Sequence, residues 1–190
     1  MKTLHLSRDL RLIIAFYALR NISELFLGTF LVSFIMHLST NEIVAVSTYK
    51  LFEYAATCAG FFLFARWCKQ YEKVYVLTLN LIPKIILLCA IILLGEEVVD
   101  YLILLGMLYG IGAAAFHLPI NTMIGEKATN NIMNKFIGTK NSVMLIMKIA
   151  TPIILGFFID AASYTEMAVV VLGLTIIELG LTFLMKRSKH

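Results

Sequence analysis

The stretch ARWCKQYEKVYVLTLNLIPKIILLCAIILLGEE, residues 65–97, decides how the rest of the chain is to be read. A basic segment with Arg66, Lys69 and Lys73 leads into an apolar run, Val74–Leu94, whose one charge is Lys84, and the run ends on Gly95-Glu96-Glu97. A helix rising 1.5 Å per residue needs about 20 apolar residues to cross a hydrocarbon core roughly 30 Å thick. The run has that length, with a positive flank on one side and a negative flank on the other. This is the asymmetry of a transmembrane helix whose basic end stays in the cytoplasm.

Five further runs have the same character: Ile13–Met36, Ile43–Ala65, Val99–Ile120, Asn141–Ile159 and Met167–Met185. Lipid offers nothing to satisfy backbone N–H and C=O groups, so helices are the expected form of all six. Short polar gaps separate them: His37–Glu42, Arg66–Lys73, Gly95–Glu97, Asn121–Lys140 and Asp160–Glu166. Basic residues collect in the N-terminal tail (Lys2, Arg8, Arg11), the second gap, the fourth gap (Lys127, Lys135, Lys140) and the C-terminal tail (Lys186, Arg187, Lys189). The first, third and fifth gaps hold no Lys or Arg, but carry Glu42, Glu96, Glu97, Asp160 and Glu166. This alternation predicts an all-α polytopic membrane protein: one six-helix domain over residues 1–190, with both termini cytoplasmic, in a bacterial cell membrane. The first apolar run leads into Arg20, Asn21 and Glu24 with no small-x-small site after it, so a cleaved signal peptide is not expected.

Composition agrees. The 190 residues are 60% hydrophobic and 15% charged, with a mean hydropathy of +0.87, against about 45–50% apolar and 25% charged in soluble domains. A pI near 9.0 comes from clusters between apolar runs, which fits an anionic bilayer surface rather than nucleic acid. Cys58, Cys68 and Cys89 have no metal or redox spacing and read as small buried hydrophobes. No metal, cofactor or catalytic residue is expected.

Three places resemble the major facilitator superfamily. Ala65-Arg-Trp-Cys-Lys-Gln-Tyr-Glu-Lys73, between the second and third runs, is similar to that family's basic 2–3 loop, with Ala65, Lys69 and Glu72 standing where the family has Gly, Asp and Gly. Tyr109-Gly110-Ile111-Gly112-Ala113-Ala114 resembles its Gly-x-Gly-Ala-Ala stretch in the fourth helix, where small residues let helices approach closely. The Arg and Gln that the family has nearby would fall at Gly106 and Tyr109. Thr151-Pro152-Ile-Ile-Leu155-Gly156 resembles the Gly-Pro-x-x-Gly-Gly signature of its proton-coupled exporters, keeping Pro152 and Gly156 as hinge and packing residues. The resemblance implies half of a secondary transporter, an MFS-like half-bundle. It also implies a partner in the form of a second copy or a second six-helix half, and a central cavity faced by the first, fourth and fifth helices.

Ionisable residues inside the runs are the candidate site, since each costs about 2.5–3.5 kcal/mol at the middle of a membrane helix. Arg20 and Glu24 stand four apart, and Lys50 and Glu53 three apart, so each pair shares a helix face. Lys84 has Asn80 one turn before it, Lys148 shares a stripe with Asn141 and Thr151, and Glu178 shares one with Thr175 and Thr182. Lys84 and Glu178 either pair across the bundle or mark a surface awaiting a partner. Four cations against three anions favour an anionic or polar small solute or drug-like compound, with Glu24 or Glu53 as proton carriers. Pro83 and Pro152 each remove a backbone hydrogen bond, and for Pro152 the freed carbonyl is that of Lys148.

Two other functions are compatible with parts of the sequence. Glu96-Glu97 and His117-x-x-x-Asn121 resemble membrane proteases of the prenyl-protein-processing and bacteriocin-immunity type, but Glu97 and His117 lie 20 residues apart on one helix, about 30 Å, and cannot share a substrate. A truncated, accessory or immunity-type six-helix protein without transport activity of its own is the stronger alternative.

Overall fold

The computed structural model describes residues 6–128, 130–161 and 163–186, and among them every regular element is helical. In chain order these are α1 (Arg8–Leu25), a π turn (Phe26–Phe30), α2 (Leu31–Leu38), α3 (Glu42–Gln70), α4 (Lys73–Leu79), α5 (Leu81–Leu94), a 3-10 turn (Gly95–Tyr101), α6 (Leu102–Lys127), α7 (Asn130–Ala161) and α8 (Tyr164–Lys186). The six runs read from the sequence fall on α1–α2, α3, α4–α5, α6, α7 and α8. Lys2, Arg187 and Lys189 lie outside the described residues.

Local chemistry sets the helix ends. Ser7 and Asn41 cap α1 and α3, their side-chain oxygens accepting from the backbone N–H of Leu10 and Val44. A reciprocal capping box starts α8: Ser163 N–H donates to Glu166 Oε2 at 2.9 Å, and Glu166 N–H donates to Ser163 Oγ at 3.2 Å. Gly95, at φ +54°, ends α5 in a conformation that only glycine adopts without strain. Asn80 breaks α4 from α5 three residues before Pro83, which cannot donate to the carbonyl of Leu79.

The fourth gap departs from the sequence reading. The sequence pattern predicts a connecting loop over residues 121–140, yet α6 runs to Lys127 and α7 begins at Asn130. Polarity marks where a segment leaves apolar surroundings, whereas the helix continues until capping or backbone chemistry stops it. For the same reason Arg66–Gln70 belongs to α3.

Among the described residues, four helical stretches are long and apolar enough to cross a membrane: Arg8–Leu38, Lys73–Lys127, Ile132–Phe158 and Tyr164–Met185. The second, 55 residues long, is folded back at the 3-10 turn so that α5 packs on α6. The 29-residue α3 carries Lys50, Glu53, Arg66 and Lys69, which sets it apart from these four. It is instead the most closely seated helix, along a seam of small residues on α6. A Cβ at Gly106 would stand 2.5 Å from the carbonyl oxygen of Tyr49, one at Gly110 would collide with the carbonyl oxygen of Glu53, and one at Gly60 would meet Ala114 Cβ at 2.7 Å.

Asp9 pairs with Lys127 at 2.5 Å, and Lys73 with Glu126 at 2.7 Å. The starts of α1 and α4 and the end of α6 therefore share one end of the bundle. They are the segments that the basic clusters group together in the sequence. At the other end Phe26 and Phe34 stack on Tyr164, centroids 4.7 and 4.3 Å away.

Candidate functional site

The spacing of α1 puts Tyr17, Arg20, Asn21, Glu24 and Leu25 on one face. That face forms one wall of a cavity of about 600 Å³, with Phe116 and His117 of α6 and Met144 and Lys148 of α7 opposite it. The π turn beginning at Phe26 lies directly below Glu24 and contributes Thr29 to the lining. Such turns recur at functional sites because they rotate the following residues off the regular helical face.

Arg20 is the organising group. Its guanidinium lies 3.8 Å from the centroid of the Phe116 ring, a cation–π arrangement. Nη1 donates to Asn80 Oδ1 at 2.8 Å, and Nη2 pairs with Glu24. Tyr109 donates its hydroxyl proton to the same carboxylate at 3.1 Å. Tyr109 fits there because Gly28 faces it: a Cβ on residue 28 would come within 3.3 Å of the Tyr109 oxygen. The Arg20 side chain is 5% exposed and that of Glu24 is 35% exposed, so the carboxylate is the half of this pair that meets the open cavity.

A second ion pair lies behind the first. Lys84 Nζ donates to both carboxylate oxygens of Glu178, at 2.7 and 2.8 Å, and the two side chains are 6% and 0% exposed. Ser23 donates to Glu178 Oε1 at 3.2 Å. Of the two arrangements open for Lys84 and Glu178 in the sequence, the structure shows the cross-bundle pair. The third pair, Lys50 with Glu53 at 2.8 Å, is half-buried on α3, and Lys50 Nζ also lies 5.5 Å from the Tyr49 ring centroid.

Three pairs thus absorb all three anions and three of the four cations. Lys148 remains. It is exposed on the cavity wall and has no ion pair among the described residues. Thr151, one turn beyond it, is buried with its hydroxyl lacking a hydrogen-bond partner. Pro152 lies inside a continuous α7.

The glycines separate by position. Gly110 meets the backbone of α3, whereas Gly112 points the other way, and a Cβ there would lie 3.5 Å from Asn80 O and Pro83 Cγ. Gly156, read from the sequence as a packing glycine, has open space where a Cβ would stand, because α7 is covered mainly by α1. Sequence reasoning missed Ser23 and the roles of Tyr109 and Asn80. Neutral side chains in apolar runs give no charge signal.

No family model matches the chain, and no solved structure matches it. The chain is 28% identical over 167 residues to an uncharacterized protein in the sodM 3' region of Geobacillus stearothermophilus, covering 84% of this chain and 76% of that one. It is 26% identical over 136 residues, 68% of its length, to the uncharacterized protein YqgE of Bacillus subtilis. The match spans 31% of that relative, which is thus more than twice as long.

Proposed function

We propose that this chain is a six-helix membrane bundle of the major facilitator type. In this reading it forms half of a secondary transporter for a small polar or anionic solute, with both termini on the cytoplasmic side of a bacterial cell membrane. The observation that carries the proposal is Lys148. Among the described residues it is the cation of the candidate set that has no ion pair, and it stands on the wall of the cavity that also exposes Glu24, His117 and Asn21. An unpaired ammonium is costly in lipid and useful only where water or an anion reaches it. Tyr17, Leu25 and Met144 in the same lining suit a solute with an apolar body.

α7, which lines the cavity, is the most sparsely covered of the long apolar helices, so the transport reading includes a second bundle against it: a second copy of the chain or a separate six-helix half. The length of the Bacillus subtilis relative supports that arrangement. Glu24, reachable from the cavity and bonded to Arg20 and Tyr109, is the proton carrier in a coupled cycle.

The test is uptake of candidate organic anions into vesicles holding the full chain, with and without a pH gradient. Lys148→Met removes a charge-assisted contact worth about 1.5–3 kcal/mol, and flux is expected to fall by roughly tenfold or more. Flux unchanged in Lys148→Met would refute the site, and vesicles that move no solute at all would favour an accessory protein without transport of its own.

A further inference from the structure

Between the two buried ion pairs lies a small cavity of about 10 Å³, separate from the large one. Its polar wall is made by Arg20, Ser23 and Glu24 from α1, Asn80 at the α4–α5 break, Lys84 from α5, and Tyr109 from α6. That volume is about one probe sphere, the least that holds a single water, and a buried water needs two to four polar partners. The wall supplies them. Arg20, 4% exposed, has its Nε–H without a protein acceptor. Lys84 spends two N–H groups on Glu178 and has a third. The Ser23 oxygen donates its proton to Glu178 and keeps its lone pairs. Glu24 has carboxylate oxygens on the same wall.

We propose that this cavity is a binding site for one water molecule and that the water joins the two ion pairs into a proton relay, in which Ser23 is the last link to Glu178. Glu24 meets the open cavity, whereas Glu178 is sealed from it. A proton taken up by Glu24 passes to the water as the water gives one to the Ser23 oxygen and Ser23 gives its own to Glu178. One O–H bond breaks at Glu24 and one forms at Glu178, while the water and the serine finish as they began. The charges around this path are Arg20 and Glu24 on α1, Lys84 on α5 and Glu178 on α8, with the Tyr109 hydroxyl and His117 on α6 and Lys148 across the open cavity on α7. Within the two pairs cations and anions balance, and each cation opposes protonation of its own carboxylate, so an added proton is passed along the path rather than held at one site. Gly112 completes the wall, and its missing side chain leaves the space. A Cβ there would make ordinary 3.5 Å contacts with Asn80 and Pro83, so Gly112→Ala fills the cavity without forcing the helices apart.

The relay does not depend on whether the chain transports anything, and its test uses no flux. The full chain, labelled with ¹⁵N-lysine and ¹³C-glycine in phosphatidylcholine vesicles, is studied by water-edited solid-state NMR. The wild type is expected to show direct magnetisation transfer from a long-lived water to the Gly112 α-protons and the Lys84 ammonium. Gly112→Ala is expected to abolish the transfer to Lys84. Exchange of the Lys84 ammonium protons with bulk water should slow by at least an order of magnitude in both Gly112→Ala and Ser23→Ala, while that of Lys148 stays unchanged. Absence of the water signal in the wild type overturns the site whatever the variants do. Lys84 exchange equal to wild type in both variants overturns the relay.

Discussion

Lys84 and Lys148 are the same residue type set at depth in helices of one bundle, and they have opposite fates. Lys84 is enclosed by α1, α5 and α8, bonded twice to Glu178, and closed to solvent. Lys148 stands on α7, the most sparsely covered of the long apolar helices, and lines the cavity without an ion pair among the described residues. A cation buried with its counter-charge is part of the scaffold; one left without it at a cavity wall is available to a ligand. Which role a lysine plays is set by its neighbours on other helices.

The largest effect should come from breaking the closed pair. Glu178→Leu strands the Lys84 ammonium among apolar groups and is expected to cost about 3–5 kcal/mol. The double variant Lys84→Met, Glu178→Leu replaces both charges by apolar groups and should recover most of that loss. Reversible unfolding of the full chain in mixed micelles would measure both. A double variant no more stable than Glu178→Leu would show that the pair is not the scaffold contact described here.

The second comparison is between two glycines. At Gly106 a new Cβ meets the α3 backbone, which cannot swing away like a flexible side chain. Gly106→Ala is expected to cost roughly 1–3 kcal/mol as α3 and α6 are pushed apart. At Gly156 nothing stands within contact distance, so Gly156→Ala should stabilise by up to about 1 kcal/mol through helix propensity alone. Equal effects at the two positions would contradict the described seam. Stabilisation lost at Gly156 only when a second bundle is present would mark that glycine as part of an interface.

Much of this was legible in the chain, and the illegible part has a physical cause. Apolar runs and charge alternation located the helices, because burial against apolar surroundings is written in composition. The intrahelical pairs Arg20–Glu24 and Lys50–Glu53 followed from spacing. Lys84 and Glu178 are 94 positions apart, and no periodicity links them, so their pairing waited on the packing of α5 against α8. Ser23, Asn80 and Tyr109 act through geometry rather than charge, and a serine in an apolar helix looks the same whether its hydroxyl bonds its own backbone or a carboxylate on another helix. Gly60 and Gly106 were hidden for a related reason: a close approach is a property of two helices, and only one of them carries the glycine.

A smaller effect is expected at the bundle end. Glu126→Gln removes the partner of Lys73, but both side chains there are partly exposed, at 52% and 29%. Exposed ion pairs contribute about 0–1 kcal/mol and are screened by salt. The loss should therefore be at most about 1 kcal/mol and should vanish at high ionic strength, unlike that of Glu178→Leu. A salt-independent loss would mean that Lys73 is shielded by a bilayer or partner surface at this end.

The smallest stability change should be that of Lys148→Met. The ammonium has no counter-ion to lose among the described residues and lies exposed on a cavity wall, so the change is expected within about 0.5 kcal/mol in either direction. This near-neutral outcome carries the most information, because it separates the two lysines on one scale. Lys84→Met should leave Glu178 unpaired and destabilise, whereas Lys148→Met should leave the bundle intact and affect only what enters the cavity. A large loss in Lys148→Met would place that ammonium in a structural contact. Its partner would then be a group supplied by the second bundle, and the open face of α7 would be read as an interface held by charge.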